Sequence, residues 1–80
     1  MRLDKFLKVS RIIKRRTVAN EACDAGRVAV NGKPARASYE VKTGDVIEIV
    51  FGNRNFKAKV LNVAETVKKD DADLLFEVID

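Results

Sequence analysis

The amino-acid sequence predicts an α+β fold in which two short N-terminal helices pack on a small antiparallel sheet. Up to about residue 25, apolar residues recur at the spacing of an amphipathic helix. After Gly26 the spacing changes, and short segments alternate apolar and polar residues as strands do. The dipeptide of Asn31 and Gly32 supplies the two positive-φ positions of a type I′ hairpin turn. With 80 residues the chain has room for one core.

The first helix is predicted from the spacing of Leu3, Phe6 and Leu7, which places these three side chains on one side. Lys and Arg residues that lie three apart then fall on the opposite side. Arg11 would extend this basic row if the helix continued that far. The first helix is therefore expected to have one face for the core and one basic face.

The second helix is predicted over residues 17–25. Thr17 can act as its N-cap, because its hydroxyl can accept a hydrogen bond from a first-turn amide, and Gly26 suits the position after its C-terminus. Small residues along the segment allow two helices to approach closely. Cys23, the single cysteine, is expected to be a buried apolar residue and not a reactive thiol.

Two hairpins are predicted after the helices. Residues 28–30 and 33–35 flank the type I′ turn as short strands. Residues 46–51 and 56–63 alternate apolar and polar side chains well enough to form an antiparallel pair with one buried face.

The C-terminal part of the chain is expected to be an acidic extension, residues 64–80, that follows an RNA-binding domain of residues 1–63. Residues 65–73 are charged and are expected to form a solvated loop or a short helical turn. Residues 74–79 are β-prone. They are expected either to close the sheet as a last strand or to bind a partner as an exposed strand.

Positive charge is concentrated at the N-terminus. The first 16 residues carry seven cations and one acid, whereas residues 65–80 carry two cations and six acids. The seven cations, here named the N-terminal cation cluster, are Arg2, Lys5, Lys8, Arg11, Lys14, Arg15 and Arg16. A local cluster attracts phosphates through counterion release, which favours binding of RNA or DNA. The alternative is a charged face that only solvates an outer surface.

Three members of this cluster, Lys14, Arg15 and Arg16, come immediately before the predicted second helix. Free amides and the helix dipole at a helix N-terminus attract anions and would add to the charge of these side chains. The combination predicts an anion site more specifically than a basic run alone. The alternative is a charged loop between two helices.

The sequence does not predict an enzyme. The chain has no histidine, its acids are scattered, and it lacks the glycine motifs that hold phosphates or dinucleotides. No cofactor or metal site is expected, since the ligand clusters that such sites need are absent from the sequence. No apolar run is long enough to span a bilayer, so a cytoplasmic protein without a membrane partner is expected.

Five short motifs follow one another along residues 1–50. They are M-R-L-D-K-F-L at 1–7, Arg11 with K-R-R-T at 14–17, A-G-R at 25–27, V-N-G at 30–32 and V-K-T-G-D at 41–45. This ordered set resembles the S-four (S4) type RNA-binding domain. The resemblance implies two helices on a small bent antiparallel sheet, with a basic face for structured RNA. Among stand-alone members the chain is most similar to the short RqcP type, a relative of the heat-shock RNA-binding protein.

The resemblance also implies a role in bacterial ribosome-associated quality control. Proteins of this type bind obstructed large ribosomal subunits, contact rRNA and peptidyl-tRNA, and help an RqcH-type tailing factor to add alanines to the stalled chain. The implied RNA contacts fall on the N-terminal cation cluster, with Asp4 and Thr17 in supporting roles. Asp4 either holds Arg15 or Arg16 in place or touches RNA or a partner directly. A monomer is expected.

Other functions remain open from the residues themselves. Within the same class, the chain could be a general structured-RNA chaperone or an rRNA-assembly factor. In a different class, it could be a protein-interaction module that uses its acidic tail, with the basic end serving solubility. A third alternative is a subunit that supplies RNA affinity to an enzyme.

Overall fold

The structure is a computed structural model that describes residues 1–64 and 74–79. Its elements are the helices α1 (Leu3–Val9) and α2 (Arg16–Asp24) and the strands β1 (Val28–Val30), β2 (Lys33–Pro34), β3 (Val46–Phe51), β4 (Arg54–Val60) and β5 (Phe76–Val78). The strands form one antiparallel sheet in the order β2-β1-β3-β4-β5. The predicted α+β fold of two helices on an antiparallel sheet is confirmed.

Helix α1 buries Leu3, Phe6 and Leu7 completely, as their spacing predicts. The helix ends at Val9, and Arg11 adopts a left-handed backbone with φ of 64°. Arg11 therefore lies beyond the end of the helix and does not extend its basic row. The chain turns here because the amide of Ile13 donates to the Leu7 carbonyl at 3.0 Å, which draws the buried Ile13 side chain back into the core.

Helix α2 begins at Arg16, one residue earlier than predicted, and the extended residue Arg15 occupies its N-cap position. The prediction of Thr17 as N-cap is therefore wrong, because Thr17 already lies inside the first turn. The Ala19 amide donates to the Arg15 carbonyl at 3.0 Å, so the first turn closes on Arg15 and not on Thr17. Gly26 follows the helix with φ of 80°, as predicted for a residue after a C-terminus.

The first hairpin has the predicted geometry. Asn31 and Gly32 have φ of 53° and 85°, as a type I′ turn requires. The Asn31 side chain donates to Asp45 at 3.1 Å and accepts from the Val46 amide at 3.0 Å, which ties the turn to the start of β3. Asp45 also accepts hydrogen bonds from the Tyr39 hydroxyl and the Lys42 amide, at 3.2 and 3.0 Å.

The second hairpin is tighter than predicted. Phe51 pairs directly with Arg54, so the turn consists of Gly52 and Asn53 alone. Strand β4 starts two residues before the predicted position and ends at Val60 instead of residue 63. Gly52 has a φ of 60° and so permits a turn of only two residues. The alternation of apolar and polar residues in the strands does not indicate how short this turn is.

Strand β5 closes the sheet beside β4. Of the two expectations for residues 74–79, the closing strand is therefore confirmed. The preceding Leu75 is buried, and its carbonyl accepts a hydrogen bond from the Leu61 amide at 2.8 Å. Phe76 packs edge-on against Phe56 of β4, with ring centroids 6.2 Å apart. The predicted loop or helical turn at residues 65–73 lies outside the described residues.

The core lies between the two helices and one face of the sheet, and it takes Ile47 and Ile49 from the central strand β3. Cys23 is buried there as expected. Burial, with the nearby charges of Asp4 and Asp24, raises the pKa of its thiol to about 11, so the thiolate is scarce at neutral pH. Within residues 1–64 and 74–79, no helix has the length and apolar character needed to cross a membrane.

Candidate nucleic-acid interface

The centre of the interface is the carboxylate of Asp4, which lies in the first turn of α1 and is only 2% exposed. Arg2 donates to both of its oxygens, at 3.2 and 3.3 Å. The side-chain amide of Asn20, on α2, donates to Oδ2 at 3.1 Å, and Nη2 of Arg16 lies 3.5 Å from Oδ1. The Lys5 amide donates to Oδ1 at 2.8 Å. We call Asp4, Arg2, Arg16 and Asn20 the Asp4 site.

Asp4 is ionised in this setting. Burial acts to raise the pKa of its carboxyl, but the hydrogen bonds from Asn20 and Arg2 and the charge of Arg16 outweigh burial and hold the pKa below its usual value. A buried carboxylate is tolerated only when it is paired and hydrogen-bonded, and this one has partners on both oxygens. Because the partners come from α1 and α2, the carboxylate also joins the two helices.

Each arginine of the Asp4 site is half exposed, with 49% of the Arg2 side chain and 48% of the Arg16 side chain open to solvent. A guanidinium carries five N–H donors in a fixed plane. Donors that do not face Asp4 are therefore available to an external acceptor. The geometry suits an anion such as a phosphate, which binds guanidinium groups through paired hydrogen bonds.

The N-terminus of α2 adds a second source of positive potential. No side chain of the described residues caps this nine-residue helix. Its first-turn amides therefore remain available for an anion beside Arg16. Asp4, Arg16, Asn20, the exposed Thr17 and Glu21 line a shallow cavity of about 350 Å³ at this point.

The structure brings two members of the N-terminal cation cluster together at Asp4, namely Arg2 and Arg16. Of the two residues that Asp4 was expected to hold, Arg16 makes this contact, and Arg15 sits at the N-cap position. The remaining cluster members lie around the site on α1 and on the connector between the helices, where Lys8, Arg11, Lys14 and Arg15 are exposed and Lys5 is partly buried.

Sequence reasoning missed Asn20, although a signal was present. Asparagine has low helix propensity, so its place in the middle of a helix requires a compensating contact. Asn20 also follows Arg16 by four residues, which puts both side chains on the same face of α2. Burial of Asp4 was missed as well, because a charged residue beside cations is expected at the surface.

The sequence pattern of the S4 domain family matches residues 1–47. The chain belongs to the S4 domain family. This confirms the resemblance that the order of N-terminal motifs predicts, and the two helices on an antiparallel sheet are the fold expected of an S4 domain.

Several relatives that span nearly the whole chain carry the same name. A protein of Halalkalibacterium halodurans named RQC P-site tRNA stabilizing factor is 55% identical over 98% of this S4 chain and 89% of its own length. A protein of the same name from Streptococcus pneumoniae is 54% identical over 99% of this chain and 90% of its own length.

A solved structure shares the fold. Heat shock protein 15 of Vibrio cholerae, described as trimeric, superimposes with a TM-score of 0.90 at 26% identity. The match covers 99% of this S4 chain and 81% of the Vibrio protein. The similarity to heat shock protein 15 and to the stabilizing factors agrees with the relationships predicted from the sequence.

Proposed function

We propose that this protein is a non-enzymatic RNA-binding factor of bacterial ribosome-associated quality control. In this proposal it binds obstructed large ribosomal subunits, contacts rRNA and peptidyl-tRNA, and supports alanine tailing of stalled chains by an RqcH-type factor. The observation that carries the proposal is the Asp4 site, where a buried carboxylate holds Arg2 and Arg16 together at the uncapped start of α2. The name of the relatives, RQC P-site tRNA stabilizing factor, supports the choice of RNA.

The physical role of the Asp4 site is to fix the orientation of two guanidinium groups before RNA arrives. Arginine loses side-chain entropy when it is immobilised at an interface, and a group that is already ordered avoids part of that cost. Phosphate contacts made by such groups set the position and orientation of an RNA without reading its sequence. A tRNA held in one orientation is what a stabilising factor must provide, and the chemistry of peptide transfer stays with the ribosome.

The other cations of the cluster extend the same surface. In the proposal, Lys5, Lys8, Arg11, Lys14 and Arg15 contact phosphates around the Asp4 site and contribute long-range attraction. Thr17 lies on the rim of the cavity beside Arg16 and can donate its hydroxyl to the same phosphate. As part of this proposal, residues 1–63 form the RNA-binding domain and residues 64–80 an acidic extension of a monomer that acts in the cytoplasm.

The experiment is co-sedimentation with purified large subunits that either carry or lack peptidyl-tRNA. The wild-type protein should sediment with subunits that carry peptidyl-tRNA and much less with empty ones. Arg16→Ala should lose this association at a temperature where circular dichroism shows that it is folded, although removal of an ion-pair partner of the buried Asp4 lowers its thermal stability. Lys59→Ala is the matched control, because Lys59 is an exposed cation on β4 outside the cation cluster.

Two outcomes would contradict the proposal. Equal sedimentation with empty and loaded subunits would favour a general role in rRNA binding or assembly. Equal loss in the Arg16 and Lys59 variants would show that the cluster acts only through total charge. Restoration of alanine tails by wild-type protein, and not by the Arg16 variant, in cells that lack their own factor would extend the result to tailing.

A further inference from the structure

An apolar groove lies on the side of α2 that faces away from the Asp4 site. Val18 and Ala22 of α2 form one wall, Ile12 and Ile13 of the connector contribute to it, and Val50 and Phe51 at the end of β3 lie opposite. Its volume is about 350 Å³. This falls at the lower end of the range of ligand pockets, ~300–1,000 Å³.

The groove exposes three large apolar side chains that residues 1–64 and 74–79 do not cover. Val18 is 48% exposed, Val50 43% and Phe51 46%. Single exposed apolar residues are common on protein surfaces, whereas several exposed apolar side chains in one concave site are a feature of ligand-binding grooves.

Helix geometry places the groove and the Asp4 site on two sides of α2. Arg16 and Asn20 are four residues apart and share one face. Val18 and Ala22 are also four residues apart and share another face. Val18 follows Arg16 by two residues, and Ala22 follows Asn20 by two, so the two faces are separated by a rotation of roughly 200° about the helix axis. A ligand that contacts both sides must therefore wrap around the N-terminal half of α2.

The charge of the groove identifies the chemistry of its occupant. Among the described residues that line it, Arg27 alone is charged, and no acid lines it. The Arg27 carbonyl accepts a hydrogen bond from the Val50 amide at 3.0 Å, which fixes the backbone of Arg27 beside the β3 wall. An apolar site with an aromatic ring and an arginine suits a nucleobase, since bases that leave the helical stack bind on Phe and Arg planes.

The surroundings favour a nucleotide over a neutral apolar peptide. Ile12 and Ile13 belong to the same connector as Arg11, Lys14 and Arg15, so cations of the cluster directly flank two of the residues that line the groove. A base seated in the groove would keep its own phosphate near these cations. A neutral peptide would gain nothing from them and would leave Arg27 without a role.

We propose that this groove receives one unstacked base of the bound RNA, which stacks on Phe51 and contacts Arg27 while the cation cluster holds the neighbouring phosphates. The proposal rests on the proposed function, since it requires RNA as the ligand. It adds a contact with the base of an unpaired nucleotide. A surface that binds only phosphates makes no such contact. The protein therefore prefers RNA with an accessible unpaired nucleotide over continuous duplex.

The test uses two RNA probes, a stem-loop with a single-stranded loop and a blunt duplex with the same number of phosphates. The chain contains no tryptophan, so Phe51→Trp introduces one fluorophore at the groove. Its fluorescence should be quenched by the stem-loop and stay unchanged with the duplex. Val78→Trp, at an exposed position on β5, is the matched control and should respond to neither probe.

Affinity provides the second measurement. Phe51→Leu keeps an apolar side chain and loses the aromatic face. It should bind the stem-loop about 10-fold more weakly, because stacking of one base on an aromatic ring contributes an affinity of this order. Its affinity for the duplex and its thermal unfolding should match wild type. Arg16→Ala, in contrast, should weaken binding of both probes.

Three results would overturn the proposal. The first is wild-type affinity of Phe51→Leu for the stem-loop, and the second is unchanged fluorescence of Phe51→Trp. The third is that Phe51→Leu binds RNA normally but no longer binds a purified RqcH-type protein. This result would assign the groove to a protein partner. If the wild-type protein bound neither probe, the proposed function would fail together with this inference. A failure confined to the Phe51 variants would leave the proposed function standing.

Discussion

Asp4 illustrates how one residue can serve both stability and binding. Its carboxylate is buried, yet two of its side-chain contacts run to Arg2 and Arg16, which are half exposed and belong to the N-terminal cation cluster. Removing the charge would leave the arginines free to move, although it would also make the surface more positive. These two effects have opposite signs, so an experiment can separate orientation from total charge.

We predict that Asp4→Asn lowers RNA affinity about threefold to tenfold, because loss of the hydrogen bonds that order the arginines costs ~0.7–1.4 kcal/mol. Fluorescence anisotropy with a labelled stem-loop measures the change. Glu48→Gln on β3 is the control, since it removes one negative charge outside the site. Higher affinity in both variants would mean that net charge alone governs binding.

The same carboxylate predicts a dependence of stability on pH. The pKa of Asp4 is lower in the folded state than the ordinary value, so its contribution to the free energy of unfolding is fully present at neutral pH. The contribution is lost as pH falls from about 4 through the folded-state pKa. Between pH 7 and about pH 3, the free energy of unfolding measured with urea should decrease less in Asp4→Asn than in wild type. An equal loss would contradict this assignment.

Arg11 presents the opposite case, because the proposal assigns its side chain to phosphate binding while its backbone conformation costs stability. A left-handed backbone is unfavourable for residues with a Cβ and costs glycine little. We predict that Arg11→Gly unfolds at an equal or higher temperature than wild type and binds RNA about twofold to fivefold more weakly. Arg11→Ala should lose the same affinity and be less stable than Arg11→Gly. A destabilised glycine variant would show that the Arg11 side chain stabilises the fold.

At the scale of elements, we expect the β1–β2 turn to serve the fold and not RNA binding. Asn31 is engaged with Asp45 and the Val46 amide, so its side chain holds β3 in place. The turn therefore needs its two positive-φ residues for structural reasons. This separates it from α1 and α2, whose polar faces carry the proposed RNA contacts.

Gly32→Val should lower the free energy of unfolding by about 1–3 kcal/mol because it forces a β-branched residue into positive φ. A Cβ at this position would meet no atom within 4 Å, so the cost is backbone strain and not a clash. Chemical denaturation measures it. RNA affinity measured well below the melting temperature should be unchanged. Lost affinity in a variant that is fully folded would place the turn in the interface.

At the scale of the whole molecule, charge is separated along the chain. The N-terminal 16 residues are strongly basic, and the last 16 are acidic. The formal net charge of +4 therefore understates the potential that an RNA meets at the Asp4 site. Binding that depends on a local cluster should show the salt dependence of phosphate neutralisation.

We predict a log–log slope of affinity against salt concentration of roughly −3 to −5, as expected when about five phosphates are neutralised. Titration of a labelled RNA at several salt concentrations measures the slope. Arg16→Ala should reduce its magnitude by about one, whereas Lys59→Ala should leave it unchanged. A slope near zero in the wild-type protein would rule out the electrostatic account.

Local patterns in the sequence were sufficient for the elements and for the first turn. The spacing of Leu3, Phe6 and Leu7 predicted α1, and Asn31 with Gly32 predicted the hairpin, because neighbouring residues determine both. The burial of Asp4 and its bond to Asn20 could not be predicted in this way, since they depend on how two helices meet. The groove at Phe51 was missed for the same reason, because its walls are more than 25 residues apart in sequence.

The backbone around Asp4 has a consequence for the time at which the cationic surface forms during synthesis. The Leu3 and Asp4 amides donate to the carbonyls of Tyr39 and Ala37, and the Val41 amide donates to the Met1 carbonyl. The first turn of α1 is thus anchored by residues made almost 40 positions later. A ribosome must therefore complete the first hairpin and release it from the exit tunnel before the arginines at the N-terminus are held in place. The nascent chain acquires its ordered RNA-binding surface late, when the sheet that supports it is being assembled.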